Sequence, residues 1–480
     1  MGSAIRFLLN GDVRTVDDAP PERTLLEYVR ETARLTGTKE GCAEGDCGAC
    51  TVALGTRDGA TVRYRPVNSC IVLLGQVHGR QVLTVEALAG GDALHPVQQA
   101  LVDAHGTQCG FCTPGFAMAM FALHQEGGTP DVDSVHEALA GNLCRCTGYR
   151  PIVEAAQRAA SLPDAGQRER LPGWAATLGT LDDGGDLAVE GAAGRFLAPT
   201  TMDGLAAALA AHPDARILAG GTDLALLVTK QNRRLGTVVA LGRVAGLDRI
   251  EVGEATITLG AAATYADALP VIAADRPDFA AMIRRLGSRQ IRALGTVVGN
   301  VANASPIGDT PPVLLALDAT LDLVDSSGAR TMKIADFFTD YRRTALRRGE
   351  FVASVTWPRA VPGELFAVYK VSRRWDQDIS AVLGAFRLVL DGDVVAAARI
   401  AYGGMAATPK LAVQTAAALV GRPWTEATVE AAIPALAADF SPIDDFRASA
   451  AYRARIAGNL LRRFHRATTS PADTAGVMAL

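Results

Sequence analysis

Gly41-Cys42-Ala43-Glu44-Gly45-Asp46-Cys47-Gly48-Ala49-Cys50, with Cys70 further on, sets four thiols in the pattern C-x4-C-x2-C and then x19-C. Three close cysteines and one distant one are the spacing by which a plant-type [2Fe–2S] cluster is held between one tight loop and one later residue. Zinc is the alternative that four thiols always allow, although zinc sites ordinarily come as two C-x2-C knuckles. The small residues Gly41, Gly45, Gly48 and Ala49 let the backbone wrap closely around an inorganic core. Working outward, Ile5-Arg6-Phe7-Leu8-Leu9 reads as a strand, Asn10-Gly11-Asp12 as a tight turn and 13–16 as the returning strand. Thr24 is placed to cap a helix with Leu25, Leu26 and Val29 on one apolar stripe and Gly37 past its end. Residues 51–54 and 61–64 read as two more strands.

A second constellation follows: Cys109-Gly110-Phe111-Cys112, then Cys144-Arg145-Cys146. Helical periodicity fills 95–105, 114–126 and 131–141, with Phe116, Met120 and Leu123 on one stripe. Thr113-Pro114 reads as an N-cap and a first helical residue. On spacing alone, zinc and [2Fe–2S] both remain open here, because four thiolates suit either. His95, His105, His124 and His136 lie in this stretch and form no ligand pair with the cysteines.

At 480 residues, 49% hydrophobic and 20% charged, the chain is expected to form three or four globular domains. Lys and Arg number 47 against 51 Asp and Glu, a net charge of −4, which is too balanced to indicate nucleic acid or an anionic membrane as partner. No uninterrupted apolar run reaches membrane-spanning length, and Met1-Gly2-Ser3-Ala4-Ile5-Arg6 leads into a strand pattern, so a cytoplasmic protein is expected. All eight cysteines fall within the first 146 residues. In such a chain that crowding predicts metal rather than disulfides.

Residues 161–192 are rich in Gly, Asp and Pro, lack periodicity and read as an interdomain linker packed along the surface. Arg216-Ile217-Leu218-Ala219-Gly220-Gly221-Thr222-Asp223-Leu224 reads as a buried strand opening into a Gly-Gly loop and a helix, where backbone N–H groups can face a pyrophosphate. Residues 292–309 contain almost no large side chains, and Asn300, Asn303, Ser305 and Asp309 suit ribityl or phosphate groups; an array of structural turns is the other reading. Toward the end, 381–390 and 394–403 flank Asp391-Gly392-Asp393 as a hairpin. Thr408-Pro409 and Gly421 bracket a helix, and two Ala-rich helices follow near 425–438 and 445–464.

The motifs Lys39-Glu40-Gly41-Cys42, Asn68-Ser69-Cys70, Thr107-Gln108-Cys109-Gly110-Phe111-Cys112-Thr113-Pro114-Gly115 and Asn142-Leu143-Cys144-Arg145-Cys146-Thr147-Gly148-Tyr149-Arg150-Pro151 resemble the double iron–sulfur signature of the molybdenum hydroxylases. The resemblance implies a multidomain α+β fold: a β-grasp ferredoxin-like domain (1–86), a four-helix [2Fe–2S] domain (87–160), the linker (161–192), a vanillyl-alcohol-oxidase-like FAD domain (193–363) and a C-terminal α/β module (364–480). It implies two [2Fe–2S] clusters, on Cys42, Cys47, Cys50 and Cys70 and on Cys109, Cys112, Cys144 and Cys146. It assigns flavin contacts to Leu218, Ala219, Gly220, Gly221, Thr222, Asp223, Leu224, Leu286, Ser305, Asp309, Val352 and Lys370, beside Asn300 read above. Leu286 stands where animal members place an aromatic residue, so an aliphatic contact is expected there. The Asp376-Gln377-Asp378 loop matches one that in xanthine dehydrogenases influences NAD access; a charged loop that is simply solvated is the other reading.

The resemblance further implies an electron-transfer subunit, with substrate oxidation at molybdopterin on a large partner subunit, NAD as acceptor and a dimer of heterodimers as assembly. Hypoxanthine and xanthine are the implied substrates. An aldehyde or N-heterocycle hydroxylase with another acceptor, and a partner-free ferredoxin-like carrier or sensor, are the two alternatives.

Overall fold

Asn10 and Gly11 both take positive φ, 55° and 96°. The strands they join, β1 (Ile5–Leu9) and β2 (Asp12–Val16), pair antiparallel from Ile5 opposite Val16 to Leu9 opposite Asp12, the hairpin that Asn-Gly predicts. The computed structural model describes residues 2–90, 93–163, 167–182 and 184–470. With β3 (Thr51–Asp58), β4 (Thr61–Asn68) and β5 (Gln81–Leu83) the hairpin forms a mixed sheet in the order β2-β1-β5-β3-β4, β1 running parallel to β5. Helix α1 (Leu25–Glu27) opens with a reciprocal capping box between Thr24 and Glu27 and continues as a wider turn over Tyr28–Thr32. Its Leu25, Leu26 and Val29 enter one core with Phe7, Val52 and Val82, the β-grasp arrangement.

Four helices follow: α2 (Pro96–Asp103), α3 (Thr113–Gln125), α4 (Val132–Leu139) and α5 (Arg150–Ala159). Every residue of α3 from Gly115 to Leu123 is buried, which makes it the central helix of the bundle. Thr113, expected as its cap, is its first helical residue; Cys112 occupies the cap position.

In the stretch expected to be an aperiodic linker, residues 164–166 and 183 lie outside the described residues. Between them runs a helix, α6 (Gln167–Leu181), which buries Ala175, Leu178 and Leu181. Pro172, Gly173 and Gly179 lower its intrinsic helicity, so packing rather than propensity decides it. Strands β6 (Leu187–Gly191), β7 (Gly194–Ala198), β8 (Arg216–Leu218) and β9 (Thr237–Ala240) then form a second sheet, ordered β6-β7-β9-β8, with α7 (Met202–Ala211) and α8 (Leu224–Thr229) between its strands. All of these elements, together with a returning stretch, make one compact unit, Met1–Ala245 with Gly287–Gly295.

The other unit is Gly246–Leu286 with Thr296–Leu480. It holds a five-stranded antiparallel sheet, in which Phe351–Pro358 is central, and a four-stranded antiparallel sheet containing the expected hairpin, Val382–Asp391 with Val394–Gly403. Residues 292–309 are not a string of turns: helix Val297–Ala302 lies within them and buries Val297, Val298 and Val301. Thr408-Pro409 does not start a helix either. Lys410–Leu411 is a short strand, and the helix Val413–Leu419 begins behind it without a cap from its own preceding residue. Its first N–H groups are satisfied instead by Asp439, whose carboxylate accepts from Gln414 N at 2.8 Å and Thr415 N at 2.9 Å.

Candidate cluster and flavin sites

The first cysteine loop bridges the turn after α1 and strand β3, and its own backbone builds the thiol environment. Cys42 Sγ accepts from the N–H groups of Glu44 (3.4 Å), Asp46 (3.3 Å) and Cys47 (3.4 Å), while Cys42 N donates to Cys47 Sγ at 3.3 Å. Cys50 and Cys70 are 1% and 2% exposed. Hydrogen bonds from the Cys47 and Cys70 thiols, reinforced by those N–H groups, hold the Cys42 thiol far below its ordinary value; Cys70 lowers Cys50 in the same way. The donating thiols, Cys47 and Cys70, rise correspondingly. A donor set that gathers four sulfurs and supplies N–H groups to their anionic forms fits an iron–sulfur cluster, whose ligands are thiolates.

The second site sits on helix entrances. Cys112 precedes α3, and Cys144 and Cys146 precede α5, with Gly110, Gly148 and Tyr149 turning the chain at φ of 82°, 70° and 68°. Burial raises the Cys144 thiol, but the Thr147 hydroxyl at 3.1 Å and the N–H groups of Thr147 and Cys146, each at 3.4 Å, outweigh it and bring the group down to about 7. Burial pushes Cys112 up to about 12. The Phe111 N–H and the Cys146 thiol lower Cys109, and Cys146 rises in turn. Cys109 thus lies against Cys146, and Cys112 against Cys144. Cys109 and Cys146 are exposed. Among the described residues, no three His, Cys, Asp or Glu side chains close around a single ion.

Of the residues proposed for flavin, Leu218 to Leu224 belong to the first unit and Leu286, Asn300, Ser305, Asp309, Val352 and Lys370 to the second. In the first, β8 delivers the loop Ala219, Gly220, Gly221, Thr222 and Asp223 to Leu224, the start of α8. Gly221 takes φ +81°. None of the five backbone N–H groups from 219 to 223 donates a hydrogen bond among the described residues. Five consecutive unpaired donors fit a pyrophosphate. Gly220 has a second reason to be glycine, since a Cβ there would stand 2.0 Å from the Leu294 carbonyl oxygen.

In the second unit, Lys370 and Asp309 form a buried ion pair, and Ser380 Oγ donates to Asp309 Oδ1 at 2.5 Å. Asn300 is tied into the same region through Thr310, whose hydroxyl donates to Asn300 Oδ1 at 2.7 Å. Ser305 and Val352 are buried and Leu286 half-buried at the end of its helix. In the 376–378 loop Asp378 accepts from Arg374 N at 2.9 Å, and the Arg285 guanidinium lies 4.1 Å from the centre of the Trp375 ring. Ser380 was not foreseen: nothing in its immediate sequence sets it apart, and only the folded chain brings it to Asp309, 71 residues away in sequence.

Four family profiles match the chain in succession: a 2Fe-2S iron-sulfur cluster binding domain over 7–74, a [2Fe-2S] binding domain over 84–157, an FAD binding domain in molybdopterin dehydrogenase over 191–360 and a CO dehydrogenase flavoprotein C-terminal domain over 367–468. Xanthine dehydrogenase of Emericella nidulans is 33% identical across 91% of this chain and 36% of its own length; xanthine dehydrogenase/oxidase of Gallus gallus is 30% identical across 92% and 38%. The chain thus spans well under two thirds of these relatives. Among solved structures, carbon monoxide dehydrogenase from Hydrogenophaga pseudoflava superposes with a TM-score of 0.54 at 28% identity, and quinoline 2-oxidoreductase from Pseudomonas putida 86 with 0.52 at 27%, each covering 56% of this chain and 94% of that one. The fold and matched domains define a multidomain α+β protein with two [2Fe–2S] domains and an FAD domain. The chain belongs to the molybdenum hydroxylase family, whose iron–sulfur and flavin portion it carries. Among the described residues, no helix is long and apolar enough to cross a membrane.

Proposed function

We propose that this chain is the electron-transfer subunit of a xanthine dehydrogenase, taking electrons from hypoxanthine or xanthine oxidation at molybdopterin on a large partner subunit, in a cytoplasmic dimer of heterodimers. Two one-electron [2Fe–2S] clusters and a flavin, held by these residues, would supply the change from single-electron arrival to two-electron delivery to NAD+. The observation that carries this reading is the asymmetry of the cysteine sites. The second is open, with exposed Cys109 and Cys146 among exposed Phe111, Leu143 and Tyr149, a surface suited to a partner that brings electrons. At the first, Cys50 and Cys70 are buried and Cys42 and Cys47 half-buried, and Lys230, just past α8, donates to the Cys42 carbonyl at 3.1 Å and pairs with Glu44 at 3.2 Å. The outer edge of this site thus faces the element that follows the pyrophosphate loop. The eight cysteines would hold the clusters and the 219–223 N–H groups a pyrophosphate.

The likeness to quinoline 2-oxidoreductase favours a second reading, in which the partner hydroxylates an N-heterocycle or an aldehyde and another acceptor takes the electrons. Native purification decides between them: a molybdenum-containing partner and xanthine-dependent NAD+ reduction are expected, and reduction driven by quinoline or an aldehyde instead overturns the xanthine assignment. Gly221→Ala tests the flavin loop. Its Cβ meets only the side chains of Leu218 and Gln76, at 3.1 and 3.2 Å, so depleted FAD with both cluster spectra intact is expected, and full FAD content would refute the loop's role.

A further inference from the structure

Cys47 and Cys144, one thiol from each site, are joined by very few bonds. The N–H of Leu143, immediately before Cys144, donates to the Cys47 carbonyl at 3.0 Å. Around this contact no side chain holds the loops apart: a Cβ on Gly48 would come within 2.2 Å of the Gly141 carbonyl oxygen, and one on Gly115 within 2.2 Å of the Gly48 carbonyl oxygen. Two buried amides pin the seam. Asn142 Nδ2 donates to the Gly48 carbonyl at 3.0 Å and to Thr51 Oγ1 at 3.4 Å. Gln290 Nε2 donates to Asn142 Oδ1 at 2.8 Å and to Thr51 Oγ1 at 3.3 Å. The Gly48 carbonyl fixes which way Asn142 points, and Asn142 fixes Gln290, because turning either amide over would set oxygen against oxygen.

Gln290 is fully buried, and its Oε1 has no hydrogen-bond partner among the described residues. An unpaired buried amide oxygen is destabilising, and methionine would fill the same volume without that cost. Packing therefore does not account for the glutamine; its donation to Asn142 does. The stretch around it is clamped on both sides, Arg289 to Glu126 at 2.7 Å and Arg292 to Glu137 at 2.8 Å.

We propose that Gln290 is a positioning residue for electron transfer between the two cysteine sites: through Asn142 it holds the Cys47 carbonyl against the Leu143 N–H. This rests on the two-cluster reading above. One electron passes along the contact, with no bond made or broken and no proton moved.

The test compares the intact, cluster-loaded protein with Gln290→Met and Gln290→Glu by low-temperature electron paramagnetic resonance after full reduction, and by the rate of electron equilibration between the clusters after pulsed reduction. If the unaltered protein shows fewer than two clusters, the two-cluster reading itself falls. If it shows two, Gln290→Met should keep its iron and FAD while the magnetic splitting between the clusters changes and equilibration slows severalfold. Gln290→Glu, which sets an oxygen against Asn142 Oδ1, should behave the same way. Unchanged splitting and rate in Gln290→Met overturn the proposal. Loss of iron or FAD in both variants also overturns it, because Gln290 would then be holding up the fold.

Discussion

At the first site Cys50 and Cys70 are sealed in the β-grasp core and the loop's own N–H groups surround Cys42, whereas at the second Cys109 and Cys146 lie open to solvent on helix entrances. Four thiols are thus met by a different backbone at each site. A loop that follows its own turns supplies the N–H groups locally, while the core beneath it buries Cys50 and Cys70. A site spread over the ends of α3 and α5 depends on the packing of helices and leaves one side uncovered. Insulation suits a station between two others, and exposure suits a station that meets a partner.

Removing one ligand from each site gives the largest contrast. Cys42→Ala and Cys109→Ala should each cost about two irons while FAD stays bound; loss of both clusters from either variant, by iron and sulfide analysis, would erase the distinction between the sites. Next come two glycines of equal φ, +70°, in unequal surroundings. Gly48→Ala adds the clash with Gly141 to the unfavourable φ and should destabilise by about 3 kcal/mol or more, disturbing both clusters. Gly148→Ala meets nothing within 4 Å and should cost only about 1 kcal/mol, at the second site alone. Denaturation followed at each cluster's absorption separates the two, and equal costs would mean that the seam is not tightly packed.

The smallest effect is one of pH. The Asp131 carboxylate, which caps α4, is held below its ordinary value of 3.8 by the Ser134 hydroxyl and N–H. A depressed folded value means that the cap's contribution is present above pH 3.8 and lost as the pH falls through the lowered value. Hydrogen exchange across Val132–Leu139 should accelerate below pH 3.8, and Asp131→Asn, which caps without titrating, should abolish that acceleration. Acceleration that persists in Asp131→Asn would assign it to another group.

The hairpin at Asn10-Gly11 and the capping box at Thr24 were legible because every interaction that decides them lies within a few residues. The gathering of the cysteines into two sets of four was legible from their spacing along the chain. What could not be read has distant partners. The helix Val413–Leu419 starts where Asp439 reaches it rather than at Thr408-Pro409, α6 exists because Ala175, Leu178 and Leu181 find a core, and Gln290 meets Asn142 across 148 residues of chain. Gly220 was read for phosphate, yet its nearest constraint is the backbone at Leu294.

By itself, then, the sequence determined which groups are candidates for binding: eight thiols in two spacings and a Gly-Gly loop, all properties of short segments. Only the tertiary structure decided how those sites are joined, because the Cys47–Leu143 contact, the amides that pin it and the burial that separates an insulated site from an open one arise from segments that meet only when the chain is folded.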